Sequence, residues 1–121
     1  MRLFRSFKSA VSGIKEVLVK EVSFKLMLIV GLIVIFLMFY FPTKRLEKVA
    51  LLTMIFAVLT LELINSTIER VLDFLEPKYN HTIKEIKDLT AGIVLVISIG
   101  AGLVGLVIFL PYFKDFFQKI F

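Results

Sequence analysis

Apolar residues fall in three long blocks, and the charges gather between them. Eighteen uncharged residues separate Lys25 from Lys44, 13 separate Lys48 from Glu62, and 25 separate Asp88 from Lys114. A helix needs about 20 residues to cross the hydrocarbon of a bilayer. The first and third blocks meet that length unaided. The second meets it only if its helical pattern continues through Glu62 towards Leu75, which carries a glutamate to membrane depth. Ahead of the first block, Phe4, Phe7, Val11, Ile14 and Leu18 recur at the spacing of one helical face. Arg2, Arg5, Ser9, Ser12, Glu16 and Lys20 take the rest, and Lys8 and Lys15 flank the stripe, where they can snorkel. This lead predicts an amphipathic helix, lying in the membrane interface or packed on the bundle. With such a lead and no small-residue cleavage motif, the first block does not read as a signal peptide.

The pattern therefore predicts an all-α integral membrane protein in one domain, residues 1–121. A surface helix covers 1–22, and transmembrane helices cover 24–42, 47–76 and 84–110. Pro42 ends the first span, Pro77 in "EPKYNH" breaks the second, and the third is expected to stop before Pro111. The second helix, at 1.5 Å per residue, is about 45 Å long and should project beyond the membrane. On the third, Ala91, Ser98, Gly102 and Gly105 fall on one face, which suits close packing against another helix.

Charge adds an orientation. The amino-terminal segment through Lys25 holds six Lys and Arg, the first loop three, the Arg70–Lys87 region four and the tail two. With three spans, the amino end and the second loop share a side, and that side is expected to be cytoplasmic. The net charge of +5 lies largely beside apolar runs. Anionic lipid or phosphate, and not nucleic acid, is the expected partner. The chain has no cysteine, so disulfides, thiolate chemistry and cysteine metal sites are excluded.

Against this background the stretch "ELINSTIERVLD", Glu62 to Asp73, stands out. Glu62, Asn65, Glu69 and Asp73 share one helical face, with Ser66 beside them. A bare carboxylate is costly in hydrocarbon, so it must face the protein interior, carry a proton or meet a cation. Glu21, just before the first span, and Lys87–Asp88, at the start of the third, belong to the same membrane surface. Glu62 lies two turns deeper than Glu69, about 10 Å along the axis. Carboxylates near water can hold Mg²⁺, a lysine can balance phosphate charge, and a deeper carboxylate can meet a lipid hydroxyl. The layout suits transfer between a water-soluble phosphate donor and a membrane alcohol. Neither a P-loop nor protein-kinase motifs are present, so any such chemistry is of another type.

These residues resemble the prokaryotic diacylglycerol kinase and undecaprenol kinase family. Its second-span signature is Glu-x-hydrophobic-Asn-Ser/Thr-Ser/Ala-hydrophobic-Glu-x-x-hydrophobic-Asp, and "ELINSTIERVLD" departs from it only at Thr67. The family's Lys-Asp pair is matched by Lys87–Asp88, and its amino-terminal acidic motif by "EVSFK", Glu21 to Lys25. The resemblance covers essentially the whole chain. It implies a homotrimer of three-span protomers in the bacterial inner membrane, multi-pass, with the active site facing the cytoplasm. It implies MgATP-dependent phosphorylation of a lipid primary alcohol. Glu62 takes the place of the catalytic base, also meeting the acceptor lipid, and Asn65 lines the same site. Glu21 and Glu69 take the places that contact Mg²⁺ and thereby ATP, and Lys87 and Asp88 those at the nucleotide. The nucleotide-contacting linker usually ends Tyr-His; here Lys78, Tyr79 and Asn80 stand there, with His81 one position late. A family arginine near the amino end aligns with Arg2, although Arg5 can serve instead, and a tyrosine often found on the surface helix is Ser9.

Two runs, "KDLTAGIVL" and "VGLVIFLP", are similar to the undecaprenol branch, and the tryptophan usual in the diacylglycerol branch is missing. Undecaprenol is the expected acceptor and diacylglycerol the alternative. Two other classes compete. A small transporter or proton channel needs polar groups through the full depth, whereas the first span carries none between Leu26 and Tyr40. A structural or tethering bundle accounts for the basic surface helix but not for the Glu62–Asn65–Glu69 line.

Overall fold

The computed structural model describes residues 1–75 and 81–121. Four helices follow in order: α1 Arg2–Lys20, α2 Val22–Tyr40, α3 Arg45–Leu75 and α4 His81–Ile120. The last three are each long and apolar enough to cross a membrane, and most of their apolar surface faces outward. α3 is the central element. It packs most extensively on α4, then on α2, and it also meets α1.

The joint between α1 and α2 is one residue. Glu21 is extended, with φ −111 and ψ 120, and its N–H donates to the Val17 carbonyl at 2.9 Å. This abrupt corner turns the Glu21 carboxylate into the bundle, where Ser66 of α3 donates a hydrogen bond to it. Beyond α2, the Thr43 hydroxyl donates to the Met38 carbonyl at 2.8 Å and satisfies one orphan acceptor of the helix end. The Lys44 N–H donates to Glu47 Oε1 at 2.8 Å, so a glutamate in the first turn of α3 captures the preceding amide.

The opposite end of the bundle is closed by aromatic rings. Phe41, 7% exposed, is ringed by Phe109, Tyr112, Phe113 and Phe116, with centroids 5.1–6.3 Å away. The Tyr112 hydroxyl also donates to Glu47 Oε1 at 2.5 Å, tying α4 to the start of α3. Near the other end Lys87 Nζ donates to Asp73 Oδ1 at 2.6 Å. The α3–α4 pair is thus fastened by a polar contact at each end.

One sequence expectation is corrected here. α4 does not stop before Pro111; it runs through that residue to Ile120. A proline removes one ladder hydrogen bond and crowds the preceding turn, at about 3 kcal/mol in a helix interior. Phe109 on one side of Pro111, and Tyr112, Phe113 and Phe116 on the other, all pack against Phe41, and ending the helix would abandon those contacts. Close packing within the protomer also lies elsewhere than on the small-residue face. A Cβ added at Gly102 or Gly105 meets nothing within 4 Å, and both line an open apolar groove of about 580 Å³ between α2 and α4, floored by α3. The close approach is at Gly31, where a Cβ would stand 3.1 Å from Ile55 Cγ2. A lone glycine in an apolar run carries no periodic signal, so the sequence offers no reason to single it out.

Candidate functional site

Helical spacing builds the site on α3. Steps of three and four residues bring Glu62, Asn65, Ser66, Glu69 and Asp73 onto one side, and the carboxylates along it grow more exposed from Glu62 to Asp73. Glu62 is only 4% exposed and Ser66 1%; Asn65 and Glu69 are half-buried, and Asp73 is open. A deep carboxylate thus leads upward through polar groups to the aqueous end of the helix.

Glu21 closes the site from the α1–α2 corner. One carboxylate oxygen accepts the Ser66 hydroxyl, and the other faces Arg70 Nη2 at 3.7 Å. Glu62 lies within electrostatic reach of both Glu21 and Glu69, so three carboxylates from two segments share one region. Like charges so placed repel each other, and a cation among them relieves that repulsion. Lys87 brings positive charge from α4. It is held by Asp73 and also feels Glu69.

Two groups are left in need of partners. Asn65 Oδ1 is buried and accepts no hydrogen bond among the described residues. A buried amide oxygen without a donor is costly, and it is the kind of atom a bound group satisfies. The Glu69 carboxylate likewise makes no hydrogen bond or ion pair among the described residues. These groups fit a magnesium ion carried by phosphates. Such an ion keeps most of its water and takes one or two protein carboxylates, not a full protein cage. Among the described residues no cluster of three or more His, Cys, Asp or Glu is poised to hold a metal by itself.

The remaining expected site residues are placed differently. Asp88 turns along its own helix, accepting from Lys84 at 2.6 Å, and is exposed. Arg2 is exposed at the far end of α1, 19 residues from Glu21, or about 28 Å along a helix axis. Within one protomer the two are far apart. Lys78, Tyr79 and Asn80 lie outside the described residues.

Sequence reasoning assigned no role to Glu16, Ser66 or Arg70, and the structure puts all three at this end. Arg70 Nη1 donates to Glu16 Oε1 at 3.3 Å, and Lys20 Nζ to the same oxygen at 3.0 Å. The Lys20 hydrogen bond and charge, with Arg70 behind them, hold the Glu16 carboxyl below the usual glutamate range, so it stays ionised at neutral pH. Spacing already places Ser66 beside the stripe, and the signal that could have found Arg70 is its position about two turns beyond Glu62.

Comparison with known proteins adds an independent finding. The sequence model of the prokaryotic diacylglycerol kinases matches residues 8–109. Undecaprenol kinase of Bacillus subtilis (strain 168) is 32% identical over 110 residues, which is 91% of this chain and 89% of its own length. Diacylglycerol kinase of Helicobacter pylori (strain ATCC 700392 / 26695) is 30% identical over 95 residues, 78% of this chain and 74% of its own length. Its counterpart in strain J99 / ATCC 700824 matches to the same extent. The family match includes Glu21, the whole Glu62–Asp73 stripe, Lys87 and Asp88, and it begins after Arg2 and Arg5.

Proposed function

The chain belongs to the prokaryotic diacylglycerol kinase family, and from that premise we propose that it transfers the γ-phosphate of ATP to the primary hydroxyl of undecaprenol. The observation that carries the reading is Glu62, a buried carboxylate at membrane depth with Glu21 and Glu69 at the wetter end of the same site. The acceptor hydroxyl approaches from the lipid and the nucleotide from the water. Glu62 accepts the hydroxyl's hydrogen bond, aims its lone pair at the γ-phosphorus and takes up the proton as the new P–O bond forms and ADP departs. Phosphoryl transfer can be loose, so fixing the hydroxyl's direction is as much of this role as removing its proton. Glu21 and Glu69 would hold Mg²⁺, which when bound neutralises phosphate charge. Asn65 Oδ1 is available to a donor on the substrates, and Lys87 balances phosphate charge from α4. The basic amino end and second loop support a site facing the cytoplasm from the inner membrane.

The choice of undecaprenol draws on the Bacillus relative, which spans more of the chain than the diacylglycerol kinases do. A physical argument points the same way. The groove between α2 and α4 is apolar but for Ser98, and α3 continues from its lining residue Val58 to Glu62 one turn later. Diacylglycerol brings two ester carbonyls that need donors or water, whereas a polyprenol brings none. With both lipids in one mixed micelle and MgATP supplied, the kcat/KM ratio should favour undecaprenol. A preference for diacylglycerol reverses the choice of acceptor, and labelled phosphate on neither lipid removes the lipid-kinase reading.

The reading extends to a homotrimer. One protomer leaves the groove beside Gly102 and Gly105 unfilled. Native mass measurement in mild detergent should give three copies, and Gly102→Leu should shift the population towards monomer. An active wild-type monomer defeats this part.

A further inference from the structure

Arg70 stands between two carboxylates on unequal terms. It donates to Glu16 of α1 at 3.3 Å but only faces Glu21 at 3.7 Å, beyond hydrogen-bond distance. Glu21 is held instead by the Ser66 hydroxyl. Packing does not lock the guanidinium: the Arg70 side chain is 43% exposed. It also borders a cavity of about 310 Å³ between α1 and α3, lined by Ala10, Gly13, Val17, Leu63 and Thr67 among others. Arg70 therefore has room to move and two acceptors to move between.

A divalent cation at Glu21 changes the balance. The ion and the guanidinium carry like charge and claim the same carboxylate, so each weakens the other's hold. That conflict is relieved if Arg70 gives up Glu21 and keeps Glu16, which Lys20 helps to hold ionised in place. We infer that Arg70 is a positioning residue acting as a counter-ion switch: it shields Glu21 while no cation is bound, and transfers fully to Glu16 when one arrives. The inference rests on the proposed role of Glu21 and Glu69 as cation ligands. It gives α1 a function beyond anchoring, because the displaced guanidinium draws α1 onto α3. Occupancy of the cation site is thereby communicated to a helix with Phe4, Phe7, Val11 and Ile14 exposed along one face.

The test measures Mn²⁺ binding to the purified full chain in detergent micelles, read from the paramagnetic resonance signal of free Mn²⁺, with and without a non-hydrolysable ATP analogue. Arg70→Gln removes the competitor and should tighten Mn²⁺ binding about threefold, in line with the modest strength of a partly exposed pair. Arg70→Lys keeps the charge and should bind as the wild type does. Glu16→Gln removes the alternative acceptor and should weaken binding about threefold. These two shifts have opposite signs, although both substitutions break the same Arg70–Glu16 contact. A purely structural role moves both the same way. Hydrogen exchange supplies the second readout: Mn²⁺ should slow exchange over residues 13–20 in the wild type but not in Arg70→Gln. Weaker binding in Arg70→Gln, or shifts of the same sign in both variants, overturns the switch. The parent reading is checked separately with Glu21→Gln and Glu69→Gln. Unchanged Mn²⁺ affinity in both removes the cation site and the switch together. Weakened affinity there, without opposed shifts at Arg70 and Glu16, removes the switch alone.

Discussion

Glu62→Gln should lower turnover by about 10²–10⁴-fold, the range a positioned proton acceptor supplies, while leaving the protein at least as stable as before. The two halves of this expectation have one cause. Glu62 is buried and shares its region with Glu21 and Glu69. Glutamine keeps the shape and the hydrogen-bonding reach but removes one of three mutually repelling carboxylates. A residue retained for structure should behave the other way, losing stability along with activity. Steady-state kinetics with saturating MgATP, and thermal unfolding in the same detergent, give both numbers. Near wild-type turnover ends the assignment of Glu62 as the base. A large drop in melting temperature transfers it to the category of folding residues.

Glu69→Ala should weaken binding of MgATP at least tenfold, and Glu21→Ala should do the same with an added stability penalty. The contrast comes from their partners in the ligand-free protein. Glu69 makes no hydrogen bond or ion pair among the described residues, so its removal costs the fold little. Glu21 accepts the Ser66 hydroxyl and attracts Arg70, so alanine leaves a nearly fully buried hydroxyl without its acceptor. A stranded buried polar group costs about 1–3 kcal/mol. Calorimetry with a non-hydrolysable analogue, run with and without Mg²⁺, isolates the metal-dependent part. If Glu69→Ala binds the magnesium complex as tightly as the wild type, the two glutamates are not its ligands.

How much of this was legible beforehand differs residue by residue. The Glu62–Asp73 stripe could be read because helical geometry fixes which positions share a face, and a membrane makes each polar exception conspicuous. The first and third long apolar helices followed from block length, and the second from a helical pattern that continues through Glu62. The meeting of Glu21 with Ser66 was not legible from spacing. They are 45 positions apart, and only the one-residue corner between α1 and α2 aims Glu21 inward. Pro111 misled because a local backbone rule was outweighed by the distant Phe41 ring. The glycines show the complementary limit. Composition marks a face as able to pack closely, but only the relative positions of helices decide that, within the protomer, Gly31 does so and Gly102 does not. Arg70 escaped notice because it reads as an ordinary solvated charge until α1 folds back beside it.

The two polar fastenings between α3 and α4 make the pair a ruler of fixed length. Glu47 and Asp73 are 26 positions apart on α3, and their partners Tyr112 and Lys87 are 25 apart on α4. The helices run antiparallel, so the spans measure about 39 Å and about 38 Å and cannot slide past one another without breaking both contacts. A hydrocarbon layer about 30 Å thick fits between the fastenings with room for tilt. When the bilayer thins or thickens, the pair is therefore expected to respond by tilting together and not by sliding, which would keep Lys87 beside Asp73.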